Sequence, residues 1–333
     1  MRAGAGGGVA PLDGAALRRL AASARAPVWL RLRLPALVAA GMVPLLVPSA
    51  HVYDLARVAA TYAVLAVGYC IVLGLCGQFS VAHAALYGVG AYTTANLTTQ
   101  HGASSATALL AAVGFGLLAG ALIGLPALRV RGDQLAVITL GIGQVVQLLF
   151  LNWTSVTGGF TGISDIPAPS LFGITLTSYR DNYLLAFAAL VIVVVAVELL
   201  RRSPLGLAFM AVRDDELAAR SAGVRTGVCK VSAFALSGAV AGIAGWLYAG
   251  AIISISPPTF DVVLSVLVAV MVLLGGQGRV YGAVVGAAII ATLENALTEY
   301  PAGEIALKGA AIIAIVMWRA GALRDGLMRL RRA

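Results

Sequence analysis

Apolar residues in this 333-residue chain occur in long runs that short polar segments interrupt. A straight helix needs about 20 apolar residues to cross the hydrocarbon core of a bilayer, with a usual range of about 17–25. The runs therefore predict an all-α, polytopic membrane helix bundle of about ten transmembrane helices, although the first, eighth and tenth runs are short. The predicted spans are 35–50, 58–76, 81–97, 106–128, 134–151, 184–200, 230–253, 262–274, 281–297 and 308–320.

The basic residues between these runs predict the orientation of the chain. Cytoplasmic loops of membrane proteins carry an excess of Lys and Arg. With the N-terminus inside, all but three of the 23 basic residues fall in cytoplasmic segments, and the exceptions are Arg57, Arg180 and Lys308. The opposite orientation would place the basic majority outside. We therefore expect both termini in the cytoplasm.

The composition agrees with a membrane protein. Hydrophobic residues make up 60% of the chain and charged residues 11%, whereas a soluble domain has about 45–50% and about 25%. A net charge of +9 would suggest nucleic acid as the partner of a soluble protein, but basic loops explain it here. The lipid bilayer is an expected partner and nucleic acid is not. The cysteines, Cys70, Cys76 and Cys229, are interpreted as reduced packing residues.

The chain divides into three predicted segments. Residues 1–33 are rich in Gly, Ala and Arg and predict a loose cytoplasmic arm, residues 34–320 form the transmembrane domain, and residues 321–333 form a basic cytoplasmic tail. A signal peptide with the first span as its apolar core is the alternative. Pro48 occupies the −3 position of the only plausible cleavage site, after Ala50, so we expect the first span to be retained.

Glycines recur at four-residue spacing within three parts of the apolar pattern. Small residues let membrane helices approach closely, so these stripes predict tight helix crossings. The alternative is that lipid merely tolerates glycine in a helix. The stripes are Gly116, Gly120 and Gly124; Gly238 and Gly242; and Gly278, Gly282 and Gly286.

The longest cytoplasmic segment, residues 201–229, predicts a short helix with a cap at each end. Asp214 is the expected N-cap, and the two acids that follow it match the positive end of the helix dipole. Arg220 lies near the last turn. Gly223 suits the C′ position, where a left-handed conformation ends a helix.

This predicted helix has a small apolar face and no core of its own. Ala218, Ala219 and Ala222 supply the face. The helix could lie on the lipid surface, but alanines are too small for strong insertion. We therefore expect it to dock onto a soluble partner.

Five stretches of the sequence resemble segments of a known class of membrane protein. Glu216-Leu-Ala218-Ala219-x-x-x-Gly223 resembles the E-A-A-x-x-x-G coupling segment of ATP-binding cassette (ABC) transporter permeases. Four further stretches, within about residues 58–290, resemble the branched-chain amino-acid permeases, the M-type subunit of the Liv system. They are Gln78-Phe-Ser80-Val-Ala-His83-Ala-Ala-Leu-Tyr87-Gly88-Val-Gly90-Ala91-Tyr92, Thr157-Gly158-Gly159-Phe-Thr-Gly162-Ile163-Ser-Asp-Ile166-Pro167, Ser256-Pro257-Pro258-Thr-Phe260 and Gly275-Gly276-Gln-Gly278-Arg-Val-Tyr-Gly282-Ala-Val-Val-Gly286.

The resemblance implies a permease subunit of an ATP-driven importer in the cytoplasmic (inner) membrane. Its implied partners are ATP-binding cassette subunits, a second permease subunit in a heterodimer, and an extracytoplasmic substrate-binding protein that faces the Thr157–Pro167 loop. The sequence has no G-x-x-x-x-G-K-[ST] phosphate loop, so we expect no cofactor on this chain and ATP on the partner subunit. The implied coupling residues are Asp215, Glu216, Ala218, Ala219, Arg220 and Gly223.

The chain departs from the family pattern at two places. Ala82 replaces a glycine that usually precedes the histidine. Gln144 and Gln147 stand on one face of the fifth span where relatives often carry an acid and a base, so a charged substrate contact there is in doubt. The family also includes permeases for urea and short amides, which keeps those substrates as an alternative to branched-chain amino acids.

Polar residues within the spans are the candidates for the substrate pathway. For each, the alternative role is an interhelical hydrogen bond worth about 0.6–2 kcal/mol. Asn96 and Glu294 belong to the wider set of polar residues. The principal candidates are Gln78, His83, Tyr87, Gln144 and Gln147.

Two other classes of protein compete with an ABC permease. A secondary carrier driven by an ion gradient usually places ionisable residues at the midplane, and Glu294 is the only acid clearly within a span. A membrane-embedded enzyme would need a cluster of His, Asp or Glu residues at ligand spacing, which the sequence lacks. The sequence therefore favours a transport subunit without catalytic residues over both of these classes.

Overall fold

The computed structural model of this protein describes residues 28–47, 49–130, 132–171 and 174–297. These residues are mainly helical, and two short antiparallel strands pair Ser170 with Thr175. The elements are α1 (Val28–Leu46), α2 (Ala50–Tyr69), α3 (His83–Gln100), α4 (Ser105–Gly124), α5 (Asp133–Asn152), α6 (Thr154–Thr157), β1 (Ser170–Leu171), β2 (Ile174–Thr175), α7 (Tyr179–Arg202), α8 (Pro204–Asp214), α9 (Glu216–Ser221), α10 (Thr226–Ala251), α11 (Val262–Gly275) and α12 (Val280–Leu297).

The helices confirm the all-α class. Each predicted span from the first to the ninth overlaps a described helix, and the tenth, 308–320, lies outside the described residues. Six helical segments of the described chain are long and apolar enough to cross a membrane. The apolar part of α1, Leu34–Leu46, and α11 are shorter. The count of ten spans therefore stays a prediction, as does the side on which the termini lie.

The second long helix changes its hydrogen-bonding pattern before it ends. After Tyr69, α2 continues as a buried π-helical turn, Cys70–Leu75, so that one continuous segment runs over Ala50–Leu75. Single π turns inside α-helices occur frequently at functional sites. The apolar pattern predicted the span but gave no sign of the π turn, because it depends on where the backbone bonds go.

Glycine contacts hold α4 and α10 together, as the stripes predicted. A Cβ atom added at Gly116 would collide with the carbonyl oxygen of Gly238, and one at Gly238 would collide with the carbonyl oxygen of Gly116. Gly120 and Gly242 meet backbone atoms of the opposite helix in the same way. The two backbones therefore touch directly, which only glycine permits.

The third stripe is only partly helical. Gly282 packs against Gly275 of α11 and Gly286 packs against Met271, so this pair of glycines joins α11 to α12. Gly278 lies instead in the turn between the two helices, with φ of +75°. Its inclusion in the stripe was wrong, because the four-residue spacing continues across a helix boundary.

The loops of the chain from Val47 onward form two groups. One group contains the end of the π turn, α8, α9 and the turn after α4, joined by contacts of Arg213 with Gly74 and of Lys230 with Ala127. The other group contains the loops joined by a contact of Trp246 with Ser105 and by the bridge between Ile163 and Ile255. The long helices run from one group to the other, so successive helices alternate in direction.

Candidate functional site

The loop after α7 contains two short helices rather than the single helix that the sequence predicted. Ser203 caps α8 and Pro204 occupies its first position. Asp214, the predicted N-cap, is the last residue of α8, and Asp215 is the N-cap of α9. The Asp215 carboxylate accepts hydrogen bonds from the backbone N–H groups of Leu217 and Ala218, at 2.8 and 3.0 Å. The choice of Asp214 as the N-cap was wrong because the run of three acids allows the helix to begin after either Asp214 or Asp215.

Gly223 ends α9 as the sequence predicted. Its φ is +85°, in the left-handed region. The N–H of Gly223 donates to the Arg220 carbonyl and the N–H of Val224 donates to the Ala219 carbonyl, both at 3.0 Å. This pair of bonds is the Schellman motif, which satisfies the last carbonyl groups of a helix. A helix of fewer than two turns is thus fixed at both ends.

Glu216 lies on the inward side of α9 and binds a buried lysine. Its carboxylate is 2.9 Å from the Lys230 ammonium, whose side chain is 2% exposed, while the Glu216 side chain is 16% exposed. Arg220 approaches the other carboxylate oxygen at 3.5 Å from an exposed position. Lys230 also donates to the Ala127 carbonyl at 3.2 Å. Removing one partner of a buried ion pair costs about 3–5 kcal/mol, so this contact fixes α9 firmly.

The outward side of α9 is not covered by any of the residues that the structure describes. Leu217 is 66% exposed, and Ala218, Ser221 and Ala222 are exposed beside it. Ala219, on the inward side, is buried. The alanines that the sequence assigned to one face therefore divide between two faces, and Leu217 is the large apolar residue of the exposed one.

Arg213 attaches α8 to the π turn of the second long helix. Its guanidinium donates to the Gly74 carbonyl at 2.9 Å and pairs with Asp214 at 2.8 Å. A Cβ atom at Gly77 would collide with the Arg213 side chain, so the backbone after the π turn also lies against α8. The two loop helices are thus anchored at separate points, α8 on the π turn and α9 on α10.

His83, a predicted pathway residue, is the first residue of α3 and is 1% exposed. Its ring lies against Tyr69, with ring centroids 4.8 Å apart, and its Nε2 atom is 3.5 Å from the Ser237 hydroxyl. Ser237 donates to the Gly68 carbonyl at 2.8 Å. His83 therefore lies at a contact among α2, α3 and α10 in this conformation.

Tyr87, the second buried pathway candidate, belongs to a cluster of five aromatic rings. Phe260 is its centre, with centroid distances of 5.4–5.9 Å to three tyrosines, and Phe150 contacts Tyr92 at 4.8 Å. The hydroxyl groups of Tyr87 and Tyr92 are buried and have no hydrogen-bond partner among the described residues. Burying a hydroxyl group without a hydrogen-bond partner is costly, so both groups are positioned to bind such a partner. The rings are those of Tyr87, Tyr92, Phe150, Tyr248 and Phe260.

The remaining pathway candidates do not converge on one place. Gln78 is half-buried in the loop after the π turn, where its amide donates to the Cys76 carbonyl at 3.2 Å. Gln144 is exposed on α5 and Gln147 is half-buried. Asn96 donates to the Val156 carbonyl at 3.1 Å, as expected for a residue that joins helices. Glu294, half-buried on α12, is a hydrogen-bond partner of Tyr62.

The Gly-rich loop after α5 is folded against the loop before α11. Ile163 exchanges backbone hydrogen bonds with Ile255, at 3.1 and 3.0 Å. Gly158 and Gly162 both have positive φ, and an added Cβ atom would collide with backbone at each. Beside this loop is a cavity of about 390 Å³. Its lining includes Thr94, Ser104, Ser105, Pro169, Trp246 and Gly250.

Sequence reasoning missed the contacts by which Lys230 and Arg213 anchor the two loop helices. Both were counted only as basic loop residues that set the orientation. The available signal was a lysine inside an Ala- and Gly-rich helix, where a charge requires a partner. Among the described residues, no group of three or more His, Cys, Asp or Glu side chains is placed to hold a metal ion.

Comparisons with known proteins give a consistent result. The family described as "Branched-chain amino acid transport system / permease component" matches residues 52–317. The high-affinity branched-chain amino acid transport system permease protein LivM of Salmonella typhimurium LT2 is 34% identical over 289 residues, which cover 80% of this chain and 68% of LivM, and LivM of Escherichia coli K12 gives the same values. The autoinducer 2 import system permease protein LsrC of E. coli O9:H4 is 30% identical over 203 residues, 58% of this chain and 57% of LsrC.

No solved structure matches this chain. The matches to known proteins are sufficient to assign the family. The family region covers more than half of the chain, and both LivM proteins align over two thirds of their length. The six membrane-capable helices fit a multi-pass protein of the inner membrane. The chain belongs to the branched-chain amino acid transport system permease family.

Proposed function

We propose that this chain is the membrane subunit of an ATP-driven importer of branched-chain amino acids. The observation that carries the proposal is the match to LivM over 80% of the chain. The LsrC relatives are also import permeases, so they agree with import but not with the same substrate. The role is non-enzymatic: the chain supplies a pathway and moves between inward-facing and outward-facing states.

ATP hydrolysis by a partner subunit is coupled to this chain through the exposed face of α9. This face contains Leu217, Ala218, Ser221 and Ala222, and it lies on a helix that caps and an ion pair hold rigidly. An ATP-binding cassette subunit docks on this face, and that subunit binds and hydrolyses the ATP. Asp215, Arg220 and Gly223 serve the docking by holding α9 in shape. The exposed leucine supports a soluble protein partner of this kind, because interfaces gather large apolar side chains at their centre.

A charge on the α9 face tests the docking. Leu217→Asp would place a carboxylate in the centre of an apolar contact, so the ATPase subunit should no longer co-purify with the permease. Thr161→Asp, at an exposed position in the opposite group of loops, is the matched control and should retain the ATPase. Retention of the ATPase by Leu217→Asp would show that α9 is not the docking site.

The substrate pathway passes the aromatic cluster at Tyr87. The buried hydroxyl groups of Tyr87 and Tyr92, which have no partner within the described part of the chain, support this placement. His83 lies on the same helix as Tyr87, at its first residue, and Gln78 lies in the loop before that helix, toward the cytoplasmic exit. Gln144 and Gln147 line the pathway where α5 meets the second permease subunit, because an amide on an exposed face of a membrane helix needs a polar or protein neighbour.

The complete transporter contains a second permease subunit and an extracytoplasmic binding protein besides the ATPase. The loops joined by Ile163 and Ile255 face the binding protein, and both termini lie in the cytoplasm. Reconstitution of these parts allows the substrate to be identified. Unlabelled leucine should abolish uptake of radiolabelled isoleucine, and an equal concentration of urea should leave uptake unchanged. Competition by urea alone would overturn the substrate assignment.

A further inference from the structure

Lys230 connects three elements near the proposed docking face. Its ammonium group pairs with Glu216 of α9 at 2.9 Å and donates to the Ala127 carbonyl at 3.2 Å. Ala127 belongs to the 3₁₀ turn Leu125–Leu128, which directly follows α4. Lys230 itself lies in the second turn of α10. One buried cation therefore joins α9, α10 and the end of α4.

The groups around the Lys230 ammonium complement a positive charge. The end of α4 presents carbonyl groups, which form the negative end of the helix dipole and attract a cation. The Glu216 carboxylate supplies the compensating charge, and burial makes the attraction stronger than at a surface. Arg220, a second basic residue beside Glu216, is 59% exposed and 3.5 Å away, so it holds Glu216 much less strongly than Lys230 does.

The two helices that Lys230 joins to α9 are the most closely packed pair in this part of the bundle. Their backbones touch at Gly116 and Gly238, so they cannot slide past each other without a collision. If α9 is displaced, α4 and α10 therefore move with it as a single rigid unit. The exposed face of α9 meets the partner, and the opposite side of the same short helix transmits the movement.

We propose that Lys230 is a positioning residue that transmits movement of α9 to the α4–α10 pair, so that the motif glutamate Glu216 acts inside this subunit and not on the ATPase. This inference rests on the proposed function, since it assumes that an ATPase moves α9. It assigns docking to Leu217 and Ala218 and transmission to Glu216 and Lys230. Loss of the ion pair should separate ATP hydrolysis from transport while the ATPase subunit stays bound.

The test uses the complete transporter in proteoliposomes and measures ATP hydrolysed per leucine imported. Lys230→Met should retain the bound ATPase, and the ratio should rise about tenfold, within the range of coupling free energies. Lys230→Arg keeps the charge and should return the ratio to near that of the wild type. Arg225→Gln removes an exposed cation of the same loop segment, outside α9, and is the matched control, with a ratio near that of the wild type.

These outcomes separate transmission from simple stability. A purely structural role for Lys230 would lower the amount of assembled transporter without changing the ratio. A wild-type ratio in Lys230→Met would overturn the inference and leave the proposed function intact. Absence of ATP-driven leucine uptake by the wild type would overturn both.

A second measurement needs no variant that could fail to assemble. Amine acylation followed by mass spectrometry reports the exposure of Lys230, one of two lysines in the sequence. If the ion pair persists through the cycle, Lys230 should stay protected both at rest and during ATP turnover, compared with the denatured protein. Rapid acylation during turnover would show that the contact opens, and it would contradict transmission through Lys230.

Discussion

Individual glycines decide how closely the helices of this protein approach. Gly116 and Gly238 face each other so directly that a methyl group on either would meet a backbone carbonyl oxygen. The four-residue spacing was visible in the sequence, and it predicted the contact correctly for α4 and α10. The same spacing misplaced Gly278, because a spacing rule does not show where a helix begins. The pairing of Lys230 with Glu216 escaped sequence reasoning, since it depends on how a loop folds back onto a helix.

Gly238→Ala should destabilise the protein by about 1–3 kcal/mol, because the added methyl group has no space between two backbones. Gly114→Ala on α4 is the matched control, since a Cβ atom there meets nothing within 4 Å. Thermal unfolding in detergent measures the difference. Equal Tm values for the two variants would contradict direct backbone contact at Gly238.

Gly223→Ala should weaken α9 through backbone strain alone. The residue has φ of +85° and open space around it, so the cost is conformational and amounts to about 1 kcal/mol. Gly223→Asn should be better tolerated, because asparagine adopts the left-handed region more readily. Leucine uptake with each variant is the measurement. Equal losses with Ala and Asn would show that Gly223 is needed for space rather than for its φ.

Secondary-structure elements were predicted well where they are long and apolar and poorly where they are short. The spans followed from hydropathy because a membrane helix must satisfy its own backbone. The segment Pro204–Asp214 was interpreted as a connection, although Ser203 and Pro204 are a clear helix start and Phe209 and Val212 are buried. The π turn and the two-residue strands have no sequence signature of their own. The elements closest to the proposed coupling site were therefore the least predictable.

Arg213→Gln should release α8 from the π turn. The variant loses the charged hydrogen bond to the Gly74 carbonyl, a kind of bond worth about 1.5–3 kcal/mol. Amide exchange in α8 should therefore accelerate by about tenfold or more. Asp214→Asn is the matched control, since it breaks only an exposed ion pair worth about 0–1 kcal/mol. Equal exchange rates in the two variants would show that the Gly74 contact does not hold α8.

For the molecule as a whole, the strongest sequence argument was the distribution of basic residues. It predicted alternating helices, and the contacts group the loops into two sets in the way alternation requires. Which set faces the cytoplasm depends on the membrane and on the insertion machinery. From the positive-inside bias we expect α8 and α9 to lie in the cytoplasm.

Membrane-impermeant maleimide labelling tests this orientation. Ala222→Cys and Thr161→Cys place thiols at exposed positions in the two sets of loops, and the native Cys70, Cys76 and Cys229 are buried. In right-side-out vesicles only Thr161→Cys should react, and in inside-out vesicles only Ala222→Cys should. The reversed pattern would contradict cytoplasmic coupling at α9.

The central claim is that ATP hydrolysis on a partner subunit drives substrate through this chain. Uptake of radiolabelled leucine into proteoliposomes that contain the complete transporter and its binding protein tests it most directly. We expect uptake to require ATP on the side of the membrane where the ATPase subunits lie. Uptake should continue when ionophores collapse the proton and sodium gradients. Uptake that persists without ATP and stops when an ion gradient is collapsed would contradict the account and identify a secondary carrier.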